Sequence, residues 1–314
     1  MIRYLCRQLL GLLPLLFLVS AAAFFLIRLL PGDPATAYLN SINAPLTEES
    51  LKEVREELGL DEPVPVQYGK WLKQVLKGDL GYSYQTKRPV REELGTDLAY
   101  TAVLALAALA WVFVLSALFG ILSAFFAGRL PDRLIRGLTF LGSAMPKFWL
   151  GFLLVLLFSL RWRILPVQGA GEFKCLILPS FTLACSYIAT YTKLLRNSIL
   201  EIWNKPYVAY ARVRGFSRRQ AVFRHVIPNA LLPVFTTLGL HFGGILSGAV
   251  IVENVFSWPG LGRMCVSAVA ARNYPMIQGY ILLMAAVFVI ANLLSDVACA
   301  VLNPKLRLGP GAWK

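Results

Sequence analysis

Charged side chains are scarce in this sequence. Of its 314 residues, 15% are Asp, Glu, Lys or Arg and 57% are apolar. An average soluble domain is about 25% charged and about 45–50% apolar. The excess apolar residues fall in long blocks, which is the pattern of a membrane protein and not of a large soluble core. Histidine occurs only twice, at His225 and His241, so no cluster of His with acids is available for metal or acid–base chemistry. The five cysteines (Cys6, Cys175, Cys185, Cys265 and Cys299) are odd in number and form no CxxC pair. That excludes a disulfide framework and a zinc site of the usual spacing. There is no G-x-x-x-x-G-K-[ST] loop, so this chain binds neither ATP nor Mg in the usual way. H-E-x-x-H and G-x-S-x-G are absent too, which leaves a membrane enzyme without a catalytic constellation. Internal repeats and low-complexity tracts are also missing.

Six apolar runs are present, at about 9–30, 98–126, 137–160, 176–195, 231–255 and 278–302, each near the roughly 20 residues a spanning helix needs. The first follows Arg3 and Arg7 and passes through Ala21-Ala22-Ala23, which resembles a signal-peptide cleavage site. It continues through Phe24, Phe25, Leu26 and Ile27, and so reads as an uncleaved first span. The third contains Pro146 and Lys147, which leaves its boundary loose. The fifth carries Gly239, Gly243, Gly244 and Gly248, a spacing that lets another helix approach closely.

A net charge of +14 would point to nucleic acid in a soluble protein. Here it points to basic cytoplasmic loops. Segment 31–97 holds twelve of the seventeen acids and eight basic residues. Arg129, Arg133 and Arg136, the loop 196–230, and the tail with Lys305, Arg307 and Lys314 are basic. The positive-inside rule therefore places both termini in the cytoplasm and 31–97 outside. Within 31–97, the stretch Pro45–Glu57 predicts an amphipathic helix capped by Thr47 and ended by Gly59. Val66–Leu76 predicts a second helix with Tyr68, Trp71, Leu72 and Val75 on one stripe, lying against the membrane surface. Gly78-Asp79-Leu80-Gly81 is a turn. The expected organisation is a tail and first span over 1–30, an external helical subdomain over 31–97, a membrane core over 98–302, and a cytoplasmic tail over 303–314. The fold class is all-α and polytopic, with six spans.

The cytoplasmic loop 196–230 is helical in pattern with one interruption, at Gly215. Tyr207, Tyr210, Ala211 and Arg214 recur at helical spacing before it. After it, Ser217 can cap a second helix that Pro228 limits. Two short helices joined at a glycine form a knob that can sit in a groove on a soluble partner, with arginines orienting the docking. The same composition also suits a loop that hugs anionic lipid.

Gly215 followed thirteen residues later by Pro228 resembles the coupling loop of ATP-binding-cassette (ABC) importer permeases. That loop usually reads Glu-Ala-Ala, three residues, Gly, nine residues, Ile-x-Leu-Pro. Ala209, Tyr210 and Ala211 stand at the first three positions, without the glutamate, and His225 and Ile227 at the Ile and Leu positions. Further segments resemble the dipeptide, oligopeptide and nickel importer permeases in the same order. They are Leu30-Pro31-Gly32-Asp33-Pro34, Gly78-Asp79-Leu80-Gly81-Tyr82-Ser83, Glu253 through Arg263, Arg272 through Gly279, Asn292 through Asp296, and Leu302 through Arg307. The resemblance implies the first of two related permeases. It also implies a second permease subunit, two cytoplasmic ATPases that bind ATP and Mg, an external solute-binding protein and a bacterial inner-membrane location, with no nucleic acid. It assigns Tyr207, Ala209, Tyr210, Ala211, Arg214, Gly215 and Pro228 to ATPase coupling.

Trp258-Pro259-Gly260-Leu261-Gly262 reads as a tight turn, either a membrane-edge anchor or, with Asp33, Asp79 and Arg263, part of an external gate or binding-protein contact. Glu253, at the outer end of a span, is a functional candidate by its cost, or else a structural partner of Arg263 or Arg272. Asn292 and Asp296, one turn apart, are expected to face other helices. His241 with Gly244 and Glu253 is assigned to the translocation path. As a neutral imidazole, His241 is a candidate nickel ligand and alternatively a packing group. The short link 161–176 resembles nickel-type members, so nickel, free or chelated, is the expected cargo, with di- or oligopeptides as the alternative. A secondary transporter would show inverted repeats and a broken helix pair, and neither is visible in the sequence.

Overall fold

The computed structural model describes residues 2–29 and 32–302. Expectations placed on 303–314 lie outside them. In chain order the helices are α1 Ile2–Leu29, α2 Pro34–Ser41, α3 Glu48–Glu57, α4 Val64–Leu76, α5 Val90–Phe125, α6 Leu130–Ala144, α7 Lys147–Leu154, α8 Phe173–Trp203, α9 Pro206–Val213, α10 Arg218–Ala221, α11 Ile227–Val255, α12 Leu261–Ala270 and α13 Tyr274–Leu302. Two wide π-type turns, Val155–Arg161 and Val222–Val226, extend α7 and join α10 to α11. The fold is all-α, and helices run over each of the six apolar stretches. By length and composition, Val90–Phe125, Phe173–Trp203 and Tyr274–Leu293 can each cross a membrane alone, and two bent pairs raise the number to five among the described residues. The protein is therefore polytopic.

The third apolar stretch differs from expectation. In place of one span over 137–160, α6 and α7 meet at 109°. Pro146 confines Met145 to an extended backbone (φ −78, ψ 132) and offers no N–H to continue the helix. The broken helix pair that was not visible in the sequence is present.

The helices form two compact units. One comprises residues 1–101 and 259–290, so segment 31–97 shares its unit with α12 and the start of α13. Val90, Leu94, Leu261, Tyr274, Met276 and Ile277 make its core. Gly279 brings α13 onto α5, because a Cβ there would meet Val90 and Leu94 at 2.8 and 2.9 Å. Thr47 and Ser50 cap α3 reciprocally, and Ala35, Leu39 and Val54 pack α2 on α3. The aromatic stripe of α4 lies along α1: Tyr68 and Trp71 pack on Phe24 at 5.4 and 5.5 Å between ring centres, and the Tyr68 and Ser20 hydroxyls hydrogen-bond at 2.9 Å. Neither α2 nor α12 was expected, although Asp33-Pro34 is a cap-and-first-turn signature.

The other unit comprises residues 102–258 and 291–314. Here α8 packs against α6 and α11, and α7 against α11. Small residues set these approaches. A Cβ at Gly120 would meet the Leu195 side chain at 3.0 Å, and one at Gly142 would meet Cys185 Sγ at 2.8 Å. At one end of the unit the Asp132 carboxylate is fully buried. It accepts two hydrogen bonds from the Arg196 guanidinium, both 2.8 Å, one from the Gly128 N–H at 2.9 Å and one from Ser123. These bonds tie the end of α5, the start of α6 and the C-terminal part of α8 together.

Candidate coupling and translocation site

The loop 196–230 forms as a helix–turn–helix, with one change. Gly215 sits at φ +89, a conformation open to glycine and strained for other residues. Ser217 caps the next helix through the Gln220 N–H at 3.3 Å, and Gln220 Oε1 accepts the Ser217 N–H at 2.9 Å. Pro228 was expected to limit that helix and does not. The chain passes through the wide turn Val222–Val226 into α11, with Pro228 in the first turn of α11. The wider turn carries the proline ring past the carbonyl that it would otherwise strike.

Burial divides the predicted coupling residues. Val208, Ala211, Ala221, Val222 and Val226 face inward. Tyr207, Ala209, Tyr210, Arg214, Gly215 and Pro228 are exposed, with Tyr210 at 71%. Ala211 faces inward, and the tyrosines form the outer face. Phe216 packs edge-on against His225 at 5.5 Å, and His225 Nε2 is buried without a hydrogen-bond partner among the described residues.

The predicted path residues lie on α11. His241 Nδ1 hydrogen-bonds the Tyr191 hydroxyl at 3.0 Å, and Tyr187 lies 5.9 Å away, ring centre to ring centre. A Cβ on Gly244 would meet the Tyr187 hydroxyl at 2.8 Å. Glu253 is fully buried, and its carbonyl accepts the Trp258 N–H at 2.9 Å. Trp258 is 2% exposed. No three His, Cys, Asp or Glu side chains gather into a metal site among the described residues. The side chain of Asp296 lies outside those described.

In the other unit, Asp33 caps α2 and pairs with Arg55 at 3.1 Å. Asp79 closes its turn by accepting the Gly81 N–H at 2.9 Å. Gly260 caps α12 and is buried, while Arg263 is exposed. Asn273 is 1% exposed; it donates to Ser83 Oγ at 2.9 Å and accepts the Tyr84 N–H at 3.2 Å. Burial pushes the Tyr84 phenol up to about 12, so it stays neutral. The Arg272 guanidinium fills the place of the side chain that Gly32 lacks. Sequence reasoning missed Asn273, the Asp132–Arg196 pair and the Tyr187–Tyr191 pair. Asp132 carried a signal, being an acid among Arg129, Arg133 and Arg136 where acids are otherwise few.

A multi-pass helical protein with a compact helix–turn–helix leading into one of its apolar helices has the layout of a membrane component driven by a partner. Known proteins agree. The family described as "Binding-protein-dependent transport system inner membrane component" matches residues 116–308, and its N-terminal companion matches 1–105. The chain is 38% identical over 308 residues to the glutathione transport system permease protein GsiC of Escherichia coli O6:H1 (strain CFT073), covering 98% of this chain and 99% of that one. The Salmonella typhimurium (strain LT2) protein of the same name matches with the same figures. The inward-facing MetNI methionine ABC transporter matches in fold with a TM-score of 0.56, at 14% identity, over 67% of this chain and 96% of that one. An amino acid ABC transporter with histidines gives 0.52 at 16% identity, over 68% and 94%.

The chain belongs to the binding-protein-dependent ABC-importer permeases. It is a multi-pass inner-membrane permease component, not itself an ATPase, and part of a complex with ATPase subunits. Within that family it stands with the first permeases of the peptide, nickel and glutathione importers.

Proposed function

We propose that this permease carries a short peptide or peptide-like cargo such as glutathione. The observation that supports this most is the 38% identity, end to end, with permeases named for glutathione transport. His241, the residue that favoured nickel, has a tyrosine hydroxyl and two aromatic rings as its neighbours, which suits a packing role. In this reading six segments cross the membrane, both termini are cytoplasmic, and 31–97 faces outward. A second permease completes the path, two ATPases hold ATP and Mg, and an external binding protein delivers cargo near the 253–263 turn.

ATP binding closes the two ATPases around the exposed tyrosine face of α9. The motion enters the membrane through the helical run from α10 into α11, and the path alternates between outward-open and inward-open states. Hydrolysis then resets the cycle. Uptake of labelled glutathione, a labelled dipeptide and labelled nickel into vesicles holding the complete transporter tests this. ATP-dependent peptide uptake, with nickel at background, is the expected result. Nickel uptake that His241→Ala abolishes would return the cargo to metal.

A further inference from the structure

The break between α6 and α7 puts a charge inside the apolar part of the chain. Lys147 is the first residue of α7, and among the described residues no side chain caps the N–H groups that start this helix. Its ammonium lies against Gly248 of α11, in the space a Cβ would take, and 5.2 Å from the centre of the Tyr187 ring on α8. Tyr187 in turn neighbours His241 and, through it, Tyr191. Lys147, Tyr187, His241 and Tyr191 therefore form one polar and aromatic row over the glycines of α11. Val255 ends α11 seven residues beyond Gly248, so Lys147 meets that helix about 10 Å short of its end, at about 1.5 Å per residue.

Among the described residues Lys147 makes no ion pair. A cation within a membrane helix is costly, and such charges mark substrate routes or pair with one another. The ring face of Tyr187 offsets part of the cost by cation–π attraction, but among the described residues the charge has no counter-ion. The uncapped start of α7 adds a partial positive charge at the same place, as at the broken helices that hold anionic substrate groups in other membrane carriers. Gly248 keeps the α11 side free of bulk.

We propose that Lys147, seated on Tyr187, is a cargo-contacting residue of the translocation path and takes a carboxylate of the passing peptide. The proposal rests on the peptide reading above and deepens it, since the same charge repels a divalent metal. The test is the number of labelled glutathione molecules moved per ATP by the complete reconstituted transporter, with saturating binding protein common to all variants. Lys147→Gln and Lys147→Met remove the charge, and Lys147→Arg keeps it. The neutral variants should lose about tenfold and the arginine variant should stay within about threefold of the parent, the scale of one charged contact.

No loss in the neutral variants overturns the proposal, as does an equal loss in Lys147→Arg. Failure of both neutral variants to assemble with the ATPases would make the charge structural and overturn it as well. If the unaltered transporter moves no peptide, the peptide reading fails and carries the proposal with it. If it moves peptide indifferently to Lys147, only the proposal fails.

Discussion

Asp132 shows how much one side chain can hold in a membrane domain. Its carboxylate is fully buried and collects hydrogen bonds from Arg196, Gly128 and Ser123. Breaking a buried pair from one side leaves an uncompensated charge, at a cost of about 3–5 kcal/mol. Asp132→Ala should therefore lower the unfolding midpoint of the detergent-extracted complex sharply. A midpoint within a degree or two of the parent would show that Arg196 finds another partner. Asp132 was legible as an oddity, a carboxylate in an arginine-rich stretch, but the sequence could not say which arginine turns toward it. The choice depends on how α6 and α8 pack, and a period of 3.6 residues carries no information about neighbours. The same limit hid Lys147, which read only as a blurred boundary because its meaning comes from Gly248 and Tyr187 on other helices.

At the scale of elements, the proposed coupling rests most on the turn at Gly215. A Cβ there meets nothing within 4 Å among the described residues, and φ +89 strains a β-branched residue by about 1–3 kcal/mol. Gly215→Val should leave the partner ATPases hydrolysing while cargo moved per ATP falls, measured together in one vesicle preparation. Unchanged uptake would remove this turn from the drive. The sequence located the helices well where periodicity, caps and glycines agreed, as at Thr47, Gly59 and Gly215. It erred where a proline had two outcomes. Pro146 breaks its helix and Pro228 does not, because the wide turn before Pro228 absorbs the ring whereas Met145 is forced to extend. No local pattern separates those cases.

At the scale of the whole molecule, one unit is discontinuous, built from residues 1–101 and 259–290. Asn273 closes it by holding Ser83 and the Tyr84 backbone across 190 and 189 residues of sequence. Asn273→Ala removes both bonds, a loss of about 1–3 kcal/mol. With 31–97 outward as proposed, protease added from the outer side of spheroplasts should then cut the 78–90 region faster than in the parent, and an equal rate would mean that the apolar core alone closes the unit. The order of synthesis follows from the same arrangement. A ribosome adding about 5–20 residues per second needs about 10–40 s to travel from Ser83 to Asn273. Through that interval the first part of the unit has been made and its closing strap has not. The newborn chain therefore spends about 10–40 s with an open seam, longer than any loop or helix takes to form.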